Sequence, residues 1–102
     1  MDRVVRDGKV AVLYSPKFGA GWYSWNRDRV DMLFDPGLVD LVLEGNTEKI
    51  LVYVTLRWPG AYTGGLDDLA IEWIPVGSRF IIEEHDGAET VKLQKTIKWI
   101  RA

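Results

Sequence analysis

Apolar positions along this chain fall in short runs separated by glycine- and proline-bearing stretches. The run Lys9 to Ser15 (Lys-Val-Ala-Val-Leu-Tyr-Ser) is almost continuously apolar and stops at Ser15-Pro16, which predicts a buried strand ended where proline removes a backbone donor. Asn26 is placed to cap a brief helical turn over residues 27–34, which Asp35-Pro36 must end. A clearer helix follows, with Asp35 as N-cap, Pro36 at the first helical position and Gly45 closing the C-terminus. Between those signals Leu38, Val39, Leu41, Val42 and Leu43 have helical spacing, and Asp40 and Glu44 are left for solvent. Residues 50–56 (Ile-Leu-Val-Tyr-Val-Thr-Leu) are β-branched and apolar without a turn former, and read as a central strand.

Further strands are expected over residues 69–74, 79–85, 90–94 and 96–100. The best-specified pair flanks Asp86-Gly87, the dipeptide that a two-residue type I′ turn requires. That turn sets a register in which His85 opposes Ala88, Glu84 opposes Glu89, Glu83 opposes Thr90, Ile82 opposes Val91 and Phe80 opposes Leu93. Phe80, Ile82, Val91 and Leu93 then share one apolar face. Glu84 and Glu89 face each other beside the turn, an unfavourable pairing unless each is solvated or matched. The element order predicts an α+β domain: a single mostly antiparallel sheet of about five strands with one or two short helices packed on one face. At 102 residues the chain, residues 1–102, reads as a single domain.

Composition narrows the function classes. The chain is 47% apolar and 27% charged, the make-up of an ordinary globular protein. Without cysteine there is no disulfide, thiolate nucleophile or Cys-ligated zinc, in keeping with a reducing compartment. The opening Met-Asp-Arg-Val-Val-Arg-Asp-Gly lacks the apolar core of a signal peptide and no run approaches a membrane span, so a cytoplasmic location without membrane contact is expected. A net charge of −2 opposes duplex nucleic acid as a partner, because that surface demands many phosphate contacts. A small anion needs only a few donors, which Lys9, Lys17, Arg27, Arg29, Arg57 and Arg79 can supply.

Candidate chemistry lies in two loops. Tyr14-Ser-Pro-Lys-Phe-Gly-Ala-Gly-Trp-Tyr-Ser-Trp-Asn26 sets glycines among aromatics, and Trp58-Pro-Gly-Ala-Tyr-Thr-Gly-Gly65 repeats the recipe. Glycine lets a ligand approach the main chain and the rings offer flat apolar faces, so two such loops meeting at one end of a sheet would make a single pocket. The candidate ligand-binding residues are Ser15, Lys17, Phe18, Gly19, Ala20, Gly21, Trp22, Trp25, Asn26, Arg27, Tyr62, Thr63, Gly64 and Gly65. The plainer alternative makes Phe18, Trp22 and Trp25 core plugs and the glycines mere turn formers. Neither a dinucleotide fingerprint nor a P-loop spacing is present, and Ser15 and Ser24 lack a nucleophile context. Asp67-Asp68 reads as turn chemistry, His85 as an exposed strand-end residue, and Trp73 and Trp99 as packing or interface residues. Five tryptophans in so small a chain point to self-association.

Three motifs carry a resemblance: residues 12–26, Tyr62-Thr-Gly-Gly-Leu-Asp-Asp-Leu69, and Ile74-Pro-Val-Gly-Ser-Arg-Phe-Ile-Ile-Glu-Glu-His-Asp-Gly-Ala-Glu89. In this order they resemble a family of small proteins from tailed phages and prophages, with Ser-Pro-x-Phe-Gly-Ala-Gly-Trp-x-x-Trp-Asn, Tyr-x-Gly-Gly-x-x-Asp-Leu and Phe-x-Ile-x-Glu-x-Asp-Gly motifs. At the open positions the chain departs from the family's usual residues, with Lys17 for glycine, Tyr23-Ser24 for Ser-Thr and His85 for tyrosine, and it has a longer basic tail from Lys92 to Arg101. The resemblance implies a phage origin, and small phage proteins of this size include sponges that sequester nucleotide immune signals of the host. The resulting expectation is a homo-oligomeric anti-defence sponge in the host cytoplasm, binding a cyclic oligonucleotide or cyclic ADP-ribose type of signal without cleaving it and using neither cofactor nor metal. A structural or protein-interaction protein is the alternative, and a small hydrolase built on the acidic hairpin a third.

Overall fold

A computed structural model describes residues 2–94 and 100–102 and has an α+β architecture. Its elements are β1 (Val5–Arg6), β2 (Lys9–Tyr14), α1 (Asp31–Phe34), α2 (Pro36–Glu44), α3 (Thr47–Arg57), a 3-10 turn (Leu66–Asp68), β3 (Ala70–Pro75), β4 (Phe80–His85) and β5 (Ala88–Leu93). Trp99 and most of the strand expected around it lie outside the described residues.

The strands form two small sheets, not the expected single one: an antiparallel sheet ordered β1-β2-β3 and the separate hairpin β4-β5. The division follows from β2, whose apolar residues are buried on both faces. Ala11 and Leu13 point into one cluster with Leu38, Val39, Ile50 and Val54 of the helices, while Val10 and Val12 point into a second with Leu33, Phe34 and Ile74. Phe80, Ile82 and Val91 pack against that second cluster. The hairpin thus lies, together with α1, over the face of the three-stranded sheet opposite α2 and α3, and each side chain it turns inward contributes on the order of 1–3 kcal/mol. A strand covered on both faces reads as a continuous apolar run, which is what residues 10–13 show.

Helix α2 keeps the predicted caps. The Asp35 carboxylate accepts from the Leu38 amide at 2.9 Å, Pro36 occupies the first turn, and Gly45 (φ 73°) donates to the carbonyls of Leu41 and Val42. Residues 47–57 are helix α3, which corrects the central strand read over 50–56. Asn46 accepts from the Lys49 amide at 3.1 Å and starts the helix, and Ile50 and Val54, four apart, turn inward. The β4-β5 register matches the predicted one at every pair, with Asp86 and Gly87 both at positive φ.

Candidate functional site

Three segments converge at one end of β2: the loop that follows it (residues 15–30), the loop after α3 (residues 58–65), and the tip of the β4-β5 hairpin. A buried carboxylate joins the first of these loops to the hairpin. Glu89 is 2% exposed and accepts hydrogen bonds from the amides of Ser15 (2.9 Å), Trp22 (3.1 Å) and Ser24 (2.8 Å) and from the Ser24 hydroxyl (2.6 Å). Its own amide donates to the Ser15 carbonyl at 2.7 Å. A concave set of amides is an anion receptor, and here a side chain of the same chain fills it. Those amides are therefore committed within the fold and do not face the cleft.

Contacts at the hairpin tip complete the junction. The Gly19 amide donates to the Asp86 carbonyl at 2.5 Å, and Phe18 meets His85 edge-on at 5.9 Å between ring centres. The Trp25 indole N–H donates to Glu84 at 2.7 Å. The two facing glutamates of the hairpin are thus each matched by donors of the first loop.

Asn26 ties the two loops together. Its side-chain oxygen accepts from the Tyr62 amide at 2.8 Å, while its Nδ2 donates to the carbonyls of Trp22 (2.8 Å) and Tyr62 (3.3 Å). The main chains touch at Gly65, where an added Cβ would lie 2.4 Å from the Gly21 carbonyl oxygen. Gly21 (φ +79°) also lies under the Trp25 ring, which a Cβ there would meet at 2.5 Å. Trp25 is consequently caged: Gly21 backs it, Glu84 holds its N–H, and Tyr62 packs edge-on at 5.1 Å with 63° between planes. It nevertheless stays 39% exposed, and Tyr62 36%.

Beside this ring pair opens a cleft of about 540 Å³, lined by Trp25, Asn26, Arg27, Arg29 and Met32 on one side and by residues 58–62 on the other. Arg27 and Asp28 both adopt left-handed backbone (φ 62° and 52°), a conformation that costs a non-glycine residue about 1 kcal/mol or more and concentrates at ligand sites. Arg27 makes no ion pair among the described residues, whereas Arg29 donates to both oxygens of Asp31 at 3.3 and 3.1 Å. Asp31 also accepts from the Trp58 indole at 2.9 Å. Burial pushes its carboxyl up, but the Trp58 and Arg29 hydrogen bonds and the charges of Arg29 and Arg57 outweigh this and hold it below the usual range. On the far side of Trp58, Tyr53 donates to Asp35 at 2.5 Å; burial first, and this hydrogen bond second, push its phenol up to about 12.

The predicted site residues therefore separate into groups. Trp25, Asn26, Arg27 and Tyr62 come together on the cleft. Trp22 does not reach it: fully buried, it donates its indole N–H to the Met32 carbonyl at 2.8 Å and packs edge-on against Trp58. Ser15 is buried too, and its hydroxyl has no partner among the described residues. Gly19, Ala20, Gly21, Thr63, Gly64 and Gly65 build the junction, with the Gly19 carbonyl accepting from the Tyr62 hydroxyl, the Thr63 carbonyl from the Leu66 amide and Gly64 lying under the Tyr62 ring. Lys17 points away to Asp68 at 2.8 Å, and that hydrogen bond and charge raise its pKa. Phe18 is 72% exposed beside the hairpin tip. The sequence reading missed the parts played by Arg29, Asp31, Trp58, Glu84 and Glu89; only the facing of Glu84 and Glu89 hinted that each needed a partner. Asp67 and Asp68 lie in the 3-10 turn, as turn chemistry.

Among the described residues no group of three or more His, Asp or Glu side chains is arranged to hold a metal ion, and no helix is long and apolar enough to cross a membrane. Comparison with protein-family models, with curated proteins and with solved structures gave no match to this chain.

Proposed function

We propose that the protein is a binding module for a small ligand of the nucleotide class, which it holds between the two glycine/aromatic loops without breaking a bond. The observation that carries this reading is the fixed, half-exposed Trp25 ring beside Arg27 in a cleft of about 540 Å³. That volume suits one small ligand. A flat ring stacked on a tryptophan face is worth about 1–3 kcal/mol per base and tolerates any base. An arginine alongside supplies a planar, charge-assisted partner for phosphate. Because Gly21 and Glu84 hold the indole before any ligand arrives, little rotamer freedom is lost on binding. Sequestration fits the lining better than turnover: His85, the chain's one imidazole, sits at the hairpin tip against Phe18 and not on the cleft.

Together with the phage-family resemblance, this supports a sponge in the host cytoplasm that removes a nucleotide-derived immune signal. A sponge must outcompete a receptor, and nanomolar affinity corresponds to about −12 kcal/mol. The test is to incubate the purified protein with cyclic oligonucleotides, cyclic ADP-ribose isomers and mononucleotides, heat-denature it, and analyse what is released. Depletion followed by intact recovery is the expected result; an altered product would mean turnover, and no depletion would overturn the reading.

A second reading, a partner-binding protein, is favoured by one other observation. Leu51, Val52 and Leu56 stand exposed on α3. It predicts no nucleotide uptake and a loss of association, read by light scattering, when Val52 and Leu56 become serine.

A further inference from the structure

We infer that the cleft accepts a ligand presenting a single phosphate group beside its ring, which within the class proposed above favours a cyclic nucleotide with one phosphate per base over a cyclic diphosphate, and that Glu84 is the residue that sets this limit. The inference rests on the nucleotide reading above and comes from counting charges around Trp25. Two guanidiniums line the cleft, but Arg29 already spends its fork on Asp31. Arg27 remains as the cation without an ion-pair partner among the described residues. On the other side of the balance, Glu84 bonds the indole N–H at 2.7 Å and so places a carboxylate at the edge of the stacking platform. Asp86 follows at the hairpin tip, its carboxylate 3.6 Å from His85. A base lying on Trp25 therefore sits between one open cation and these carboxylates. One phosphate at Arg27 gains a charge-assisted contact. A second or third meets no further unpaired cation on the lining, and the Glu84 carboxylate at the indole edge repels it over a screening range of about 8–10 Å. Glu84 thus has two separable roles: its oxygen orients the indole, and its charge penalises polyanions.

The experiment measures Kd for adenosine, 3′,5′-cyclic AMP, AMP and ATP with the wild-type chain, Glu84→Gln and Arg27→Gln, at low and physiological salt. The wild type should bind cyclic AMP and AMP about tenfold more tightly than adenosine, the gain of a charge-assisted contact, and ATP more weakly than AMP. Glu84→Gln keeps an oxygen for the indole N–H, so the Trp25 indole NMR signal should stay in place. Its ATP-to-AMP affinity ratio should rise about two- to fivefold, less so at higher salt. Arg27→Gln should erase the preference for AMP over adenosine. Wild-type binding of ATP more tightly than AMP overturns the inference, as does an unchanged ratio in Glu84→Gln or a phosphate preference that survives Arg27→Gln. Should the wild type bind none of these ligands or the cyclic panel above, the nucleotide reading itself fails, a result distinct from binding with the wrong charge order.

Discussion

Removing the Glu89 side chain should cost the loop junction several hydrogen bonds at once. In Glu89→Ala the amides of Ser15 and Trp22, both buried, lose their acceptor, and the Ser24 amide and hydroxyl lose theirs at a partly buried position. Each buried donor left without a partner costs about 1–3 kcal/mol, and bonds to a charged acceptor lie at the upper end. Water entering the vacated space recovers part of this for Ser24, which puts the expected loss at about 3–5 kcal/mol. That is a large share of the 5–15 kcal/mol typical of a whole domain. Glu89→Gln should fall between, at about 2–3 kcal/mol, because its carbonyl oxygen still accepts while its NH2 faces donors. The assay is urea unfolding followed by tryptophan fluorescence, with the slope compared between variants so that a change in midpoint reports stability alone. A loss under about 1 kcal/mol for Glu89→Ala, or a Gln variant as stable as wild type, would refute the view that this carboxylate organises the loop.

Other predictions concern the same region. Gly65→Ala should lose about 1–3 kcal/mol in thermal unfolding, because its Cβ would meet the Gly21 carbonyl while its backbone (φ −98°) suits any residue, so the cost is contact and not strain. Asp31→Asn should flatten the acid limb of stability: the folded carboxyl lies below its unfolded value, so its contribution is complete above the ordinary carboxylate range and is lost as pH falls from there through the folded value. Tyr53→Phe should cost about 1–2 kcal/mol near neutrality and flatten the alkaline limb. Its phenol is raised to about 12, so the stability it adds is present below the ordinary tyrosine value near 10 and lost as pH climbs through the folded one. Unfolding curves collected across pH for each variant and the wild type check both signs.

Where local chemistry decides structure, the chain was legible. The α2 caps and the β4-β5 register depend on residues close in sequence, Asp35 with Leu38 and Asp86 with Gly87, and both stand as read. The Asp7-Gly8 turn between β1 and β2, with φ 50° and 74°, carries the same dipeptide signal. Residues 50–56 misled because a short β-branched run has no period of its own, and the deciding features were the Asn46 cap and the packing of Ile50 and Val54. Two sheets in place of one reflect a tertiary fact, the burial of both faces of β2. At the site, the pairing of two glycine/aromatic loops was readable, since both leave structured elements and carry the same residue types. Which tryptophan turns inward was not: Trp22 and Trp25 differ by three positions, and the turn between them, closed by the Asn26 and Asp28 amides on the Tyr23 carbonyl, sends one to the core and one to the cleft. Nor was the filling of the amide receptor by Glu89, a partner 74 residues from Ser15.

The most direct measurement is a titration of ¹⁵N-labelled protein with whichever nucleotide the uptake panel retains, following the indole N–H signals of its five tryptophans. Trp25 should shift most, because it forms the exposed platform, while Trp22 in the core and Trp73 on β3 should stay in place. A ligand that moves Trp22 or Trp73 and leaves Trp25 unchanged would contradict a cleft built by the two loops around the Trp25 ring.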